Sequence, residues 1–332
     1  MAVSGTDRVN VLLVGLGRWG EKHARVLREI GATVWAADVS AERRQWAIAH
    51  GVEPAHAVED YRAVLDRVEA VDIVTPADSH LAIAETCLKA GKHCFVEKPL
   101  TLTAAEGRRL VATVQETGQV VQVGHIFRFH PVTAVLENAL AAGRIGAVRY
   151  ATGRFSGFKR PRMDVGVFQT DGIHYADLFR HLLHRDPTAI SALQRDFLGR
   201  GLDDLSVTTV HYGDVPVIIE ANYFVPGTHR ECVMVGEGGS LGADYGASTV
   251  TLHTGVHRST GAGWEAVDTG KEELRTSGDE PLRRQLEAFL DACAGRRAIP
   301  VTAADGLVAV EVSEAATHSA RLGRVVTLAE LR

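Results

Sequence analysis

The run Cys94-Phe95-Val96 stands behind a glycine turn and ends in Glu97-Lys98-Pro99. A short apolar run of this kind predicts a buried strand, and proline cannot continue its hydrogen-bond ladder. The residue before proline is driven out of the helical region, so Lys98 is held at the strand tip instead of being swept into the next helix. Lys98 is one of six lysines among 36 basic residues, which suits a position that calls for a compact, titratable ammonium. Its chemistry depends on what stands at the ends of the other strands.

One of those ends carries glycines. In "VNVLLVGLGRWGEKHARVL", Gly15, Gly17 and Gly20 form G-x-G-x-x-G between a predicted strand and a predicted helix, and Asp38 ends the second strand 18 residues after Gly20. This is the context in which the motif binds a dinucleotide: the first glycine for the tight turn, the second for approach of the pyrophosphate, the third for close packing of the helix. The helix amino terminus then faces the phosphates, with Arg18 and Trp19 beside them. A carboxylate at Asp38 accepts hydrogen bonds from a ribose 2′-hydroxyl and repels a 2′-phosphate, so NAD is the expected cofactor. Arg43 and Arg44 follow closely enough to leave NADP open. The strand ending "DIVTPADSH" breaks at Thr75 and Pro76 and places His80 in the first turn of the next helix, facing the cofactor cleft or the surface. Glu97 is expected either at the cofactor or as a surface partner of Lys98.

The elements that must position these residues alternate from residue 8 to about 124. Apolar runs at 9–14, 32–37, 71–75, 93–96 and 120–123 predict strands; amphipathic stretches at 18–30, 41–49, 59–67, 79–90 and 103–117 predict helices. This is a βαβ series, hence a doubly wound parallel (Rossmann) sheet with its ligands at the carboxyl ends of the strands. Beyond residue 124 the pattern changes to helices at 131–142 and 170–184, a strand at 147–156, and strands at 188–197, 205–212, 216–224, 230–236 and 249–253, then helices at 279–294 and 303–322. That meander predicts an α+β domain with a large, mostly antiparallel open sheet. The expected domains are 1–124, binding the dinucleotide, and 125–332, binding substrate and forming the oligomer; 257–273 reads as a long flexible stretch.

Composition narrows the partners. A net charge of −5 argues against a nucleic acid or an anionic membrane and in favour of a small molecule. Cys87, Cys94, Cys232 and Cys293 lack metal or redox spacing, so reduced cytoplasmic thiols are expected and no metal site is assigned. The apolar run from Val9 to Gly17 lacks a basic leader and reads as a first strand, not a signal peptide.

Together the blocks "GLGRWG" (15–20), "TPADSH" (75–80), "AGKHCFVEKPL" (90–100), "VGHIFRFHP" (123–131), "DGIHYADL" (171–178) and "EAATHSARLGRVVTL" resemble the glucose-fructose oxidoreductase, inositol dehydrogenase and rhizopine-catabolism family, Gfo/Idh/MocA, over essentially the whole chain. The resemblance implies that Lys98 contacts both the nicotinamide ribose and the reacting hydroxyl, and that His174 is the catalytic histidine. The family often carries an aspartate four residues before that histidine; here Thr170 holds the position and Asp171 lies three before, still about one turn away. Asp177 matches a structural position, and Arg128 is expected to contact cofactor or substrate. These residue types fit the chemistry: a histidine takes the hydroxyl proton at neutral pH, a charged Lys98 stabilises the developing alkoxide, and Asp171 orients the imidazole.

The loop 156–169, with Lys159, Arg160 and Arg162, either closes over the substrate or is a solvated loop; Arg154, just before it, is counted with Arg162 among the substrate-binding residues. The expected activity is NAD-dependent oxidation or reduction at a secondary alcohol of a sugar, amino sugar or cyclitol. Two alternatives are a glycosidase or lyase that uses held NAD for transient oxidation, and a non-catalytic NAD-sensing module. An uncovered apolar sheet face would form a subunit interface, so a homodimer or homotetramer is expected.

Overall fold

The computed structural model describes residues 9–331; the outer limits of the two expected domains, at residues 1 and 332, lie outside the described residues. The chain divides into two compact units.

The first unit is built on β1 (Asn10–Val14), α1 (Gly20–Glu29), β2 (Thr33–Ala37), α2 (Ala41–Ala49), β3 (Ala57–Val58), β4 (Ala70–Ile73), α3 (His80–Lys89), β5 (His93–Val96), α4 (Ala104–Thr117) and β6 (Val121–Val123). Its six strands are all parallel, in the order β3-β2-β1-β4-β5-β6. The order reverses at β1, so the crevice beyond the carboxyl ends of β1 and β4 is where such a sheet takes its ligand. Both faces are covered, and β4 is buried at every position, Asp72 included. Local chemistry sets the helix ends: Thr103 and Glu106 form a capping box on α4, and Gly118 closes it at φ +67°. The helix expected over 59–67 is a 3₁₀ segment, Tyr61–Arg67, preceded by β3. Its buried apolar residues, Val64 and Leu65, are adjacent rather than a turn apart, so the stretch has no helical stripe to bury.

The second unit contains α5 (Pro131–Ala141), β7 (Val148–Gly157), a π-helical turn at Phe168–Gly172 that runs into α6 (Ile173–Leu183), then β8 (Ala189–Arg195), β9 (Leu205–Tyr212), β10 (Val215–Asn222), β11 (Thr228–Gly236), β12 (Gly239–Asp244), β13 (Thr249–Thr260) and β14 (Gly263–Leu274). After α7 (Pro281–Cys293) and α8 (Ala303–Leu322), the short β15 (Val326–Thr327) completes a nine-stranded sheet ordered β14-β13-β12-β11-β7-β10-β9-β8-β15. Only β7 and β10 pair in parallel; the rest of the sheet is antiparallel. One face carries the core. Tyr175 and Phe179 of α6 pack so closely on β7 that a Cβ at Gly153 would lie 2.6 Å from the Tyr175 ring.

Two findings depart from the sequence reading. The stretch 257–273, expected to be flexible, is the hairpin β13–β14. Nearly all of β14 is solvent-exposed, so no apolar alternation advertises it. And Glu280–Leu307 belongs to the first unit, not to the second domain expected from residue 125 onward. There Phe289 of α7 meets Phe95 of β5 edge-on at 5.7 Å, and the Gln122 side chain donates to the Gln285 carbonyl at 2.8 Å. No helix among the described residues is long and apolar enough to cross a membrane.

Candidate active site

In the first unit the glycine loop is shaped for close backbone approach. Gly15 sits at φ +96° and donates its N–H to the Ala37 carbonyl at 2.9 Å, and a Cβ on it would lie 2.7 Å from the Val74 carbonyl oxygen. At Gly20 a Cβ would fall 2.1 Å from the Gly15 carbonyl oxygen, whereas at Gly17 it would meet nothing within 4 Å. Helix α1 has no side-chain cap at its amino end. Asp38, just past β2, is fixed by two backbone donors, Leu16 N to Oδ2 at 2.8 Å and Ser40 N to Oδ1 at 2.9 Å. Arg43 is drawn to Glu21 at 2.6 Å, and Arg44 donates to the Asp38 carbonyl at 2.7 Å. An open glycine, an uncapped helix end and an oriented carboxylate together fit a dinucleotide. Arg18 is exposed beside them, and Trp19 is partly buried.

At the tip of β5 the surroundings of Lys98 are more built than the sequence suggests. Glu97 is not a surface partner of Lys98: it is buried, with Oε1 accepting from Trp19 Nε1 at 2.9 Å and Oε2 from the Lys98 backbone N–H at 3.1 Å. Behind it lies His23 of α1, whose Nε2 is 3.5 Å from Glu97 Oε1 and whose Nδ1 is 2.8 Å from Asp72 Oδ2. Burial alone would lower the His23 pKa, but the charge and hydrogen bond of Asp72, aided by Glu97, outweigh it and raise it to about 9. Burial pushes the Asp72 carboxyl up, whereas at Glu97 the pull of His23, Lys98 and Trp19 overcomes burial and holds it low. Sequence reasoning missed His23 and Asp72. The available signal was a carboxylate inside "AVDIV", a run otherwise read as wholly apolar.

His80 does not face a cleft. It is 1% exposed, with Nδ1 2.9 Å from the Pro99 carbonyl oxygen and Nε2 2.9 Å from that of Thr75. Thr75 is partly buried and Pro76 exposed where β4 ends.

In the second unit His174 and Asp171 are buried at the junction of the π turn and α6. The imidazole stacks on Phe127 at 4.8 Å and on Phe155 at 5.6 Å. Asp171 pairs with Lys159, Nζ to Oδ2 2.7 Å, and the same ammonium lies over the Phe155 ring at 4.7 Å and the Tyr223 ring at 5.6 Å. The sequence offered Asp171 to the imidazole; the carboxylate makes an ion pair with Lys159. Thr170 donates its hydroxyl to the Gly166 carbonyl at 2.8 Å. Arg230, which the sequence reading did not single out, lies over the other partner of the stack, Phe155, at 5.0 Å. Burial lowers the pKa of nearby His130 to about 4.

Three of the expected arginines are paired with carboxylates. Arg128, expected at the cofactor or the substrate, closes its fork on Asp177 at 2.8 and 2.5 Å, with both side chains buried. Arg154 follows Gly153, whose Cβ would point at α6, so its own side chain lies on the opposite face of the sheet, 3.7 Å from Glu220. Arg162 pairs with Asp164 within its own loop, Nε to Oδ1 2.8 Å.

Comparison with known proteins agrees with this architecture. Residues 9–125 match the model of an oxidoreductase family with an NAD-binding Rossmann fold, and residues 133–242 match the GFO/IDH/MocA C-terminal domain. The chain is 30% identical to UDP-N-acetylglucosamine 3-dehydrogenase of Acidithiobacillus ferrooxidans over 86% of this chain and 89% of that one. It is 31% identical to inositol 2-dehydrogenase 1 of Saccharopolyspora erythraea over 96% of each. A solved structure of the Acidithiobacillus enzyme superposes with a TM-score of 0.82 at 24% identity, covering 96% of this chain and 99% of that one, which speaks to the fold.

Proposed function

The chain belongs to the Gfo/Idh/MocA oxidoreductase family, and from that premise we propose that it oxidises, or in reverse reduces, a secondary alcohol carbon of a sugar, amino sugar or cyclitol. Its first unit is an NAD-binding Rossmann domain. Bound there, NAD supplies the hydride acceptor. The observation that carries the reading is His174, buried and stacked on the Phe127 and Phe155 rings, which are themselves stacked 6.1 Å apart, with Lys159, the partner of Asp171, over the Phe155 ring. A ring so confined presents a nitrogen in one orientation, which suits a general base taking the proton of the substrate hydroxyl. Lys98, at the tip of β5, stabilises the oxygen that loses it. Asp171 and Lys159 are the candidates for reading a neighbouring hydroxyl, one accepting and one donating.

NAD is preferred to NADP. Asp38 is held in place by Leu16 N and Ser40 N, and the two nearby arginines are engaged by Glu21 and by backbone carbonyls. The substrate class follows from the relatives, which are named for UDP-N-acetylglucosamine and for inositol. On the side of the second sheet away from α6, Val207, Ile218 and Val233 are part-exposed, which supports self-association as a dimer or tetramer, to be measured by sedimentation.

Screening inositols, sugars, amino sugars and UDP-N-acetylglucosamine for reduced-cofactor formation with NAD and with NADP tests the activity. His174→Ala should lower turnover of the best substrate by roughly 10² to 10⁴ and leave NAD binding nearly intact. Undiminished turnover would remove His174 from the mechanism.

A further inference from the structure

Two buried histidines from different helices grip the residues on either side of Lys98. On one flank His23, fully buried in α1, is anchored to Asp72 at 2.8 Å and presents its other nitrogen to Glu97 at 3.5 Å. Glu97 in turn accepts from the Lys98 backbone N–H and from Trp19, and its carboxylate is enclosed so tightly that a Cβ at Gly124 would come within 2.7 Å of it. On the other flank the His80 ring lies between two carbonyl oxygens, those of Pro99 and Thr75, at 2.9 Å each. Carbonyls only accept, so each contact is a hydrogen bond when the ring nitrogen facing it carries the proton. The ring thereby ties the segment after β5 to the end of β4.

We propose that His23 and His80 are positioning residues for the reaction: His23 through Glu97 and His80 through the Pro99 carbonyl fix the backbone of Lys98 from both sides, so that its ammonium keeps one place at the strand tip. The inference rests on the part assigned to Lys98 above. Packing alone does not account for the arrangement. Asp72 is a carboxylate in the middle of a fully buried strand, where an apolar residue would fill the space without the desolvation cost, and Glu97 adds a second buried carboxylate. Both carboxylates lie against one imidazole, and the chain of contacts ends on the backbone N–H of Lys98. The raised pKa of His23 is consistent with a ring that stays charged, and so paired, at neutral pH.

The test is made first on the enzyme without added cofactor or substrate. Reductive methylation of wild type, His23→Gln and His80→Gln is followed lysine by lysine by peptide mass spectrometry, with the exposed Lys271 as internal reference. Lys98 should react at least about threefold faster in each variant as its backbone is released, with Lys271 unchanged. Steady-state kinetics should then show kcat lowered about tenfold to a hundredfold, with the NAD Kd changed less than about threefold. Asp72→Asn, which keeps the ring and removes its anchoring charge, is measured in the same way and shows the same increase in labelling should His23→Gln fail to fold. Unaltered Lys98 labelling in folded variants, or a kcat loss accounted for entirely by weaker NAD binding, overturns the proposal. Lys98→Met separates the two readings. If it turns over like wild type, the role of Lys98 itself is wrong. If it is inactive while the histidine variants label and turn over normally, only the positioning role is wrong.

Discussion

Lys159 Nζ lies 2.7 Å from Asp171 Oδ2, an ion pair that joins the loop after β7 to the carboxylate on the π turn. Asp171 is buried while the lysine side chain is 39% exposed, so the two ends of the pair respond differently to removal. Lys159→Met leaves a buried carboxylate without its cation and should destabilise the protein by about 1–2 kcal/mol, a value reduced for the solvent around the ammonium. Asp171→Asn removes the charge together with the need for a partner and should cost less. Urea midpoints of the two variants decide it: an Asn variant that is the weaker of the two would show that the pair does not govern the stability of this turn.

The His23 cluster predicts a pH dependence of stability. The folded pKa, about 9, exceeds the ordinary histidine value of about 6.5, so the folded state holds the proton more tightly. The resulting stability is fully present below about pH 6.5 and is lost as the pH rises through 9, on the order of 3 kcal/mol in all. Chemical unfolding at closely spaced pH values should show this fall in wild type. In His23→Gln the fall should be absent from that window, and the variant should be less stable at pH 6.5. Equal slopes for the two proteins would sink the assignment.

Glycines 17 and 20 should separate binding from folding. Gly20→Ala drives a methyl to 2.1 Å from a backbone oxygen and should cost upwards of about 2 kcal/mol through displacement of α1. Gly17→Ala has open space and should change stability by less than about 1 kcal/mol while weakening NAD about tenfold or more, because the methyl stands where the pyrophosphate approaches. Melting curves with and without NAD read both effects at once.

Cofactor preference should move at Asp38. Asp38→Asn retains an oxygen for Leu16 N or Ser40 N but removes the charge that repels a 2′-phosphate, so the NAD-to-NADP ratio of kcat/KM should drop roughly tenfold or more. An unchanged ratio would transfer the discrimination to another group.

The parallel sheet and the glycine loop were readable before any coordinates because their causes are local. A 3.6-residue apolar period and a positive φ at Gly15 are demands that neighbouring residues impose on one another. For the same reason Lys98 was recognisable from Pro99 beside it, whereas His174 was singled out through its family context, with no local pattern to mark it. The sequence did not contain the environment of these residues. That Glu97 turns inward to Trp19 and His23, that His80 joins two carbonyls, that Asp171 meets Lys159 and Arg128 meets Asp177, and that Glu280–Leu307 packs with the first unit, are all consequences of contacts between residues far apart in the chain. A buried charge must find a partner, but no spacing rule states which one. Only the folded chain selects it, by bringing the two within hydrogen-bonding reach and excluding water from both.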